Sequence, residues 1–354
     1  MEIHEITLPR GPRRPPPRLT RIRATHLRRR AVAGAVALGL VLVLVSLVRG
    51  DKRSPFGDQQ TARAQADPAK LPWRQPMGVA GPLDARGLPG ADAQRGAVAY
   101  FYRLNRPIFC AGGRGKYAAL TFDDGPTEYS QRFAETLRRL GVQTTFFDVG
   151  ENVVGMQDAQ QIINQQQELG GVANHTWKHD FLTQIGPENV ARDLGMTNQA
   201  LRAATGTTMN LFRPPFGARD AAVDAAVHKA GLLPILWSAD SRDSGGADQA
   251  GVLTNSVEGL VPGGIILLHE TYEKTLNVLP QVAAAAKQKG LRLVSIPQLL
   301  ALDPPSDAQV KAGGDGCGDS QQQFRDEAAG SAMRLNGQPV ATAGGPSTAP
   351  AATG

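Results

Sequence analysis

Two patterns of hydrophobic and polar residues, one typical of strands and one typical of helices, alternate along the middle of the chain. Short apolar runs that end in turn residues are typical of buried strands. Apolar residues three and four positions apart, such as Phe133, Leu137 and Leu140, are typical of helices that bury one face. The apolar runs predict strands over residues 117–122, 144–149, 172–175, 210–213, 232–237, 265–269 and 291–295. Helical spacing lies between them, over residues 133–140, 159–169, 187–205, 220–230, 252–260 and 278–289.

The regular alternation of strand and helix predicts a parallel sheet with helices packed outside it. Seven or so such units favour a barrel-like α/β fold over a four-stranded open sheet. In α/β folds the carboxyl ends of the strands carry the chemistry. Polar residues that follow the predicted strands are therefore the candidates for a functional site.

An uncharged apolar stretch near the N-terminus predicts a membrane anchor. It covers residues 31–48, contains one polar residue, Ser46, and directly follows Arg28, Arg29 and Arg30. Its length is at the short end of what spans a bilayer, and the arginines predict a cytoplasmic N-terminus with the remainder outside. A cleaved signal peptide is the alternative, although no small-residue cleavage site follows the stretch.

Composition predicts the organisation of the rest of the chain. Residues 1–30 are Arg- and Pro-rich and are predicted to form a basic cytoplasmic tail. Residues 49–95, rich in Gly, Pro, Gln and Ala, are predicted to be a disordered linker, and residues 304–354 a disordered C-terminal tail. Residues 96–303 remain as the folded domain.

Charge is distributed unevenly along the 354 residues. Residues 1–53 hold twelve Arg/Lys and three Asp/Glu, a balance of +9 within a chain total of +6, so the remainder carries −3. The basic character belongs to the segment around the predicted anchor, and nothing in the folded part favours nucleic-acid binding.

The two cysteines, Cys110 and Cys317, lie near the two ends of the predicted domain. In an exported chain they can pair and tie those ends together; two free thiols are the alternative. A zinc site through the cysteines is not expected, because neither has a second ligand at short spacing.

Two carboxylates and two histidines form the first candidate site. Asp123 and Asp124 end the first predicted strand before a Gly-Pro break, which by itself is an ordinary turn composition. His175 and His179 are four residues apart, a spacing that places both imidazoles on one face of a helical turn. Two histidines and one carboxylate can bind a metal ion and leave a coordination position for water. The second carboxylate can take a proton from that water.

Three further polar groups follow later strands. Arg213 precedes a rigid Pro-Pro-Phe-Gly loop and can orient a carboxylate with its fork of donors. Asp240 and Asp243 lie in the loop after the strand over residues 232–237. His269 ends a very apolar strand, where a neighbouring aspartate would raise its pKa and make it a candidate acid–base group.

These five groups, in this order, resemble the signature motifs of the polysaccharide deacetylases of carbohydrate esterase family 4, which contain the NodB homology domain. The resemblance covers about residues 115–300, and residues 144–152 also look like the family's second strand. It implies a distorted parallel (β/α)7-type barrel and hydrolysis of N-acetyl groups on sugars. The matching motifs are Thr121-Phe122-Asp123-Asp124-Gly125-Pro126, His175-Thr176-Trp177-Lys178-His179, Arg213-Pro214-Pro215-Phe216-Gly217, Asp240-x-x-Asp243 and Leu267-x-His269.

The resemblance implies a division of labour among the metal-site and acid–base residues. Asp124, His175 and His179 would hold a divalent metal ion, zinc or alternatively cobalt. Asp123 would be the general base that activates water, and His269 the general acid for the leaving amine.

Supporting roles follow from the same resemblance. Arg213 would tether the general base, and Asp243 would orient the general acid, with Asp240 as the alternative partner. The backbone N–H of Phe216 would polarise the acetyl carbonyl, and Leu267 would line the acetyl pocket.

One position departs from the family pattern. Ser244 follows Asp243 where the family usually has a tryptophan that forms part of the pocket wall. We therefore expect a wider pocket, or one that another residue completes.

The sequence thus predicts a metal-dependent N-deacetylase of an extracytoplasmic acetylated glycan, such as peptidoglycan or a chitin-like polymer. An O-acetyl esterase of the xylan type is one alternative. A wall-binding protein that keeps the fold without turnover is another, although every named acid, base and metal position is filled.

Overall fold

The computed structural model describes residues 83–317. The predicted cytoplasmic tail, the predicted anchor over residues 31–48 and most of the predicted linker lie outside these residues. Within residues 83–317, none of the helices has both the length and the apolar character needed to cross a bilayer.

A parallel sheet forms the centre of this part of the chain. The strands follow the order β5-β4-β3-β2-β1-β7-β6, and β8 pairs with the first residues of β1 beside this path. Among the described residues β5 and β6 are the two edges, so the sheet is an open half-barrel. The strands are β1 (Tyr117–Gly125), β2 (Thr145–Asp148), β3 (Val172–Asn174), β4 (Leu211–Phe212), β5 (Leu233–Pro234), β6 (Ala239–Asp240), β7 (Ile265–His269) and β8 (Arg292–Leu293).

Helices connect the strands and pack around them. They are α1 (Ala91–Arg103), α2 (Ser130–Leu140), α3 (Gly150–Gly155), α4 (Ala159–Glu168), α5 (Pro187–Thr205), α6 (Ala221–Lys229), α7 (Gln249–Glu258), α8 (Glu273–Gln288), α9 (Ile296–Leu302) and α10 (Asp307–Ala312). The predicted parallel α/β arrangement is confirmed. The two-residue strand β6, within the segment predicted as a loop, is too short for periodicity to reveal.

Folded structure extends beyond the predicted domain limits of 96 and 303, which are too narrow. Helix α1 begins inside the predicted linker, and α10 lies inside the predicted C-terminal tail. The polar composition concealed the first turn of α1, because the buried residues of this helix, Ala97–Phe101, all lie inside the predicted domain. It concealed α10 because that helix buries only Val310.

Alternate residues of the strands enter two separate hydrophobic cores. Leu120 and Phe122 of β1 pack outward against the surrounding helices, whereas Ala119 packs inward. Helices α1 and α9 contribute Phe101 and Leu299 to the inner core. Because both faces of the strands are buried, the strands appear in the sequence as nearly continuous apolar runs.

The segment before β1 covers the edge of the sheet. Ile108 pairs in parallel with Ile235, just after β5. The Ile108 N–H donates to Pro234 O at 2.9 Å, and the Leu236 N–H donates to Ile108 O at 2.7 Å. An exposed strand edge invites pairing with other chains, and Ile108 occupies part of this one.

A disulfide joins the segment before β1 to the C-terminal end of the described structure. Cys110, two residues after the edge contact, is bonded to Cys317, with a Cα–Cα distance of 5.8 Å and a sequence separation of 207 residues. Of the two possibilities left open by the sequence, the structure therefore has the paired one. The bond closes a loop that contains all eight strands.

We expect Cys317→Ser to lower the free energy of unfolding by about 2–4 kcal/mol, because the cross-link restricts the unfolded chain. Urea unfolding under oxidising conditions measures the loss. Reducing the wild-type protein should reproduce it, while reduction should leave the Cys110→Ser/Cys317→Ser double variant unchanged. Equal stability of wild type and variant would mean that helix packing alone holds the C-terminal end.

Candidate functional site

The inner face of the sheet brings together most of the polar residues predicted from the sequence. Side chains two residues apart on a strand share a face. Each of these polar residues follows a residue of the inner core of its strand by two or four positions. Asp123 and His269 are also direct partners in the register of β1 and β7. The residues placed in this way are Asp123, His175, Arg213 and His269.

Asp124 reaches the same space through a bulge. The register of β1 against β2 shifts between Asp123 and Gly125, and Asp124 has a φ of +72°. On a regular strand adjacent side chains face opposite sides. The bulge and the left-handed backbone therefore allow both carboxylates to face one site.

Asp124, His175 and His179 form a compact set of metal-ligand atoms. Asp124 Oδ1 lies 3.4 Å from His175 Nε2 and 3.2 Å from His179 Nε2. One ligand atom from each residue falls within 4.8 Å of the others. One carboxylate and two imidazoles are a donor set suited to a divalent transition metal with a position left for water.

The two histidines meet through a loop, so the predicted helical turn is wrong. Thr176 and His179 have φ values of 70° and 59°. The loop is held from two sides: Gly150 and Glu151, at the start of α3, donate to its carbonyl oxygens, and Asp193 Oδ1 accepts from the Trp177 N–H at 2.8 Å. Left-handed residues bring the imidazole ring centroids to 5.0 Å.

The hydrogen bonding of His175 favours a cation between these ligands. Its Nδ1 lies 2.9 Å from Arg213 O, and since a carbonyl only accepts, Nδ1 must carry a proton. In the neutral tautomer Nε2 then presents a lone pair to Asp124 Oδ1, a buried oxygen without a hydrogen-bond partner. A proton on Nε2 or a metal ion relieves this contact.

The charges around Asp124, His175 and His179 also favour a cation between them. Burial favours the neutral imidazole of His175, but the charges of Asp123 and Asp124 outweigh it and raise the pKa of His175. Burial also favours a neutral Asp124, but the adjacent His175 imidazole and the charges of His175, His269 and His179 hold the pKa of Asp124 well below its ordinary value. The donor set therefore fits a cation, with the carboxylate ionised.

The buried side chain of Arg213 holds the Asp123 carboxylate. Its side chain is completely buried, and Nη1 donates to Asp123 Oδ1 at 2.7 Å and to Thr121 Oγ1 at 2.8 Å. The guanidinium carbon lies 4.1 Å from the ring centroid of Phe147. The charge of Arg213 and this fixed geometry keep the Asp123 carboxylate in one orientation.

Asp243, and not Asp240, is the partner of His269. His269 Nδ1 lies 2.7 Å from Asp243 Oδ1, and the His269 N–H donates to Asp243 Oδ2, also at 2.7 Å. Thr275 Oγ1 donates to Oδ2 and the Ser244 N–H to Oδ1. Asp240 instead accepts from the Arg242 N–H.

This network sets the protonation of His269. Burial lowers the pKa of His269, but the hydrogen bond and charge of Asp243, with the charges of Asp123 and Asp124, outweigh it and raise the pKa to about 9. His269 is therefore protonated at neutral pH, as a proton donor must be.

The two remaining predicted site residues, Leu267 and Phe216, differ in their exposure. Leu267 is buried and pairs in register with Thr121 and Asp240. Phe216 lies in a short turn after Arg213, at a φ of 60°, with 48% of its surface exposed. At the position of the family tryptophan, Ser244 contributes its backbone N–H to Asp243.

Sequence reasoning missed a pair of buried carboxyls beneath the bulge. Asp148 and Glu270 are completely buried and lie close together, and Gln166 Nε2 donates to Glu270 Oε1 at 2.9 Å. A Cβ on Gly125 would lie 1.5 Å from Glu270 Oε1 and 2.5 Å from Asp148 Oδ1. Only glycine fits between the bulge of β1 and this pair. The sequence signal for this pair was an acidic residue at the carboxyl end of β2 and another directly after β7.

Two carboxyls in this position share protons. Burial raises the pKa of Asp148 to about 7. Burial and the charge of Asp148 raise the pKa of Glu270 well above its ordinary value. Two like charges this close in a dry environment cannot both be ionised at moderate cost.

Sequence and structure comparisons relate this arrangement to known proteins. The family model described as polysaccharide deacetylase matches residues 111–235. A bifunctional xylanase/xylan deacetylase of Cellvibrio japonicus is 33% identical over 184 residues, 51% of this chain and 27% of that protein. A peptidoglycan-N-acetylglucosamine deacetylase of Listeria monocytogenes is 32% identical over 186 residues, 52% of this chain and 39% of that protein.

One solved structure is matched over almost its whole length. The family 4 carbohydrate esterase from Streptomyces lividans, in complex with acetate, is 32% identical; the match covers 54% of this chain and 99% of that chain, with a TM-score of 0.49. The chain belongs to the polysaccharide deacetylase family. The chain spans 27% and 39% of the length of the two curated relatives described above.

The buried pair predicts a pH-dependent stability that Glu270→Gln reduces, because the substitution removes one of the two carboxyls. Because the folded-state pKa values are raised, the pair favours folding below about pH 4 and loses that contribution as the pH rises through about 7. Relative to wild type, the metal-free variant should gain stability by up to about 1.4 kcal/mol per pH unit over this range.

Urea unfolding at about pH 5 and about pH 8, with metal removed, measures this effect. Glu128→Gln is the control, because it makes the same chemical change at an exposed residue just after β1. Its stability should equal that of wild type at both pH values. Parallel pH profiles for wild type and Glu270→Gln would rule out the shared-proton description.

Proposed function

We propose that this protein is a metal-dependent deacetylase that hydrolyses N-acetyl groups of an extracytoplasmic glycan such as peptidoglycan or a chitin-like polymer. The observation that carries the proposal is the separation of two adjacent carboxylates. Asp124 belongs to the ligand set with the two histidines, whereas Asp123 is bound to Arg213.

Asp123 is the general base in this proposal. Its Oδ1 is occupied by Arg213 at 2.7 Å, and its Oδ2 lies 3.7 Å from His175 Nε2, beside the ligand set. A divalent ion held by Asp124, His175 and His179 would supply Lewis-acid activation of the acetyl carbonyl and of the attacking water. Asp123 accepts the proton of that water, and Arg213 prevents the carboxylate from turning away.

His269 is the general acid. Amide hydrolysis leaves a poor leaving group unless the amine nitrogen is protonated as the bond breaks. His269 carries its proton at neutral pH, and Asp243 fixes its Nδ1 so that Nε2 is the nitrogen that donates. Thr275 and Ser244 hold Asp243 in turn.

Phe216 supplies the oxyanion stabiliser in this scheme, through its backbone N–H. Left-handed backbone is uncommon for a bulky residue, and strained residues cluster where backbone groups must face a ligand. Negative charge that develops on the acetyl oxygen is stabilised by a fixed donor of this kind. Leu267, at the end of β7, would line the space for the acetyl methyl group.

The metal, substrate and location are parts of the same proposal. Zinc is the ion best suited to one carboxylate and two imidazoles, with cobalt as an alternative. Arg28, Arg29 and Arg30 before the apolar stretch support an anchor with the catalytic domain outside the membrane, where a wall polymer is accessible. The identity to a xylan deacetylase supports O-acetyl ester hydrolysis as the second candidate activity.

Acetate release from a panel of substrates tests the function. Purified protein loaded with zinc or cobalt should release acetate from peptidoglycan or from N-acetylated chito-oligosaccharides, while His269→Ala, prepared in parallel, should not. Release from acetylated xylan alone would favour the esterase. Absence of release from every substrate, with metal bound, would contradict the enzyme assignment and favour a wall-binding protein.

A matched pair of substitutions tests the separation of the carboxylates. Asp124→Ala should weaken zinc binding by at least about 100-fold, because it removes one ligand of three. Asp123→Asn should keep zinc affinity within about threefold and lower kcat by about 10²–10⁴-fold, because it removes the base. Isothermal titration with zinc and steady-state acetate release measure the two quantities.

Each variant serves as the control for the other, and thermal unfolding checks that both remain folded. Equal losses of zinc affinity in the two variants would mean that both carboxylates are ligands, even if acetate is released by the wild-type protein.

A further inference from the structure

A pair of aromatic rings, one exposed and one half-buried, lies directly beside the set of candidate metal ligands. The rings of Phe181 and Phe216 stack with centroids 3.9 Å apart and planes 10° apart. The ring of His179 lies 4.6 Å from that of Phe216, nearly perpendicular to it. The aromatic pair is therefore continuous with the site and not a separate surface feature.

Phe216 is unusual in both exposure and backbone. It is 48% exposed, one of the few large apolar residues in the described part of the chain to be so, and its φ is 60°. A bulky residue at positive φ is a conformational outlier, and the oxyanion role explains only its backbone. Nothing in that role requires an aromatic ring, nor the second ring of Phe181 against it.

We propose that the Phe181–Phe216 pair is a sugar-binding subsite that packs against a pyranose ring adjoining the acetylated residue of the glycan. This rests on the proposed function, since it places a second ring of the same polymer. The axial C–H bonds give a pyranose an apolar face, and paired aromatic side chains offer a large apolar surface with few side-chain torsions to freeze.

Position identifies the occupant. A polymer whose acetyl group is held at the ligand set must lay its neighbouring rings on the adjacent protein surface. The stacked rings begin beside His179, a proposed metal ligand, since the ring centroids of His179 and Phe216 are 4.6 Å apart. An aromatic surface at this distance takes the neighbouring sugar face, and it favours oligomers over a single acetylated sugar.

Phe181 allows the proposed subsite to be tested independently of the proposed catalytic residues. It follows His179 by two residues and contacts Phe216 through its ring, while none of the proposed chemical steps uses it. If Phe181 only supported the position of His179, its loss would lower zinc affinity and kcat. If it binds sugar, its loss raises KM and the dissociation constant for oligosaccharides.

The experiment compares Phe181→Ala, Phe181→Trp and Val261→Ala in the zinc-loaded protein. Val261 is also exposed but precedes β7, at the opposite end of the strand from His269, and serves as the control for loss of an exposed apolar side chain. The probe is N-acetylated chitotetraose, with titration calorimetry for binding and acetate release for turnover.

We expect Phe181→Ala to raise both the dissociation constant and KM for chitotetraose about tenfold, with kcat and zinc affinity within about twofold of wild type. Phe181→Trp should restore binding, and Val261→Ala should match wild type. Unchanged binding in Phe181→Ala, or a loss confined to kcat and zinc affinity, would overturn the subsite.

The two proposals fail differently. Wild-type protein that binds chitotetraose through Phe181 without releasing acetate would retain the subsite and reject the deacetylase. Wild-type protein that releases acetate equally well with and without the Phe181 ring would retain the deacetylase and reject the subsite.

Discussion

The buried guanidinium of Arg213 is the interaction on which the site depends. It lies at the end of β4, yet it donates to Thr121 and Asp123 of β1 and to the backbone carbonyls of Ile235 and Leu236 after β5. Each of its three nitrogens donates to at least one acceptor, and the ring of Phe147 covers the planar face. These hydrogen bonds and the neighbouring carboxylate are what make a completely buried charge tolerable. A single side chain thus links the central strand of the half-barrel to its edge and holds the Asp123 carboxylate at the same time.

Much of this arrangement could be predicted from the sequence because the strands are buried on both faces. Their continuous apolar runs and the helical spacing between them gave the order of elements and the positions of polar residues at strand ends. The motifs then identified the residues that the structure brings together. What composition could not show was short or locally determined: the two-residue β6, and α10, which buries only Val310. The half-open form of the sheet depends on which strands pair, a property of the whole chain.

The residues of the site could be predicted from the sequence, but the backbone conformations and strand pairings that hold them could not. His175 and His179 come together as expected, yet through left-handed residues in a loop. The pairing of Asp148 with Glu270 could not be foreseen, because it requires β2 and β7 to flank β1 on opposite sides. Thr275 gave no signal at all, since a threonine in the first turn of a helix is commonplace. Residues that act through a partner across the sheet are visible only when the register is known.

The pairing of β1 has a consequence for the order in which the molecule can assemble. β1 lies early in the described chain but at the centre of the sheet, and its neighbours β7 and β8 are far along the sequence; the Thr121–Ile266 hydrogen bond alone spans 145 residues. Contacts of such separation are slow to form. While the chain is being made, Asp123 and Asp124 are therefore synthesised long before His269 and the strand that fixes their register. The candidate site should therefore be complete only late, as a property of the nearly finished domain.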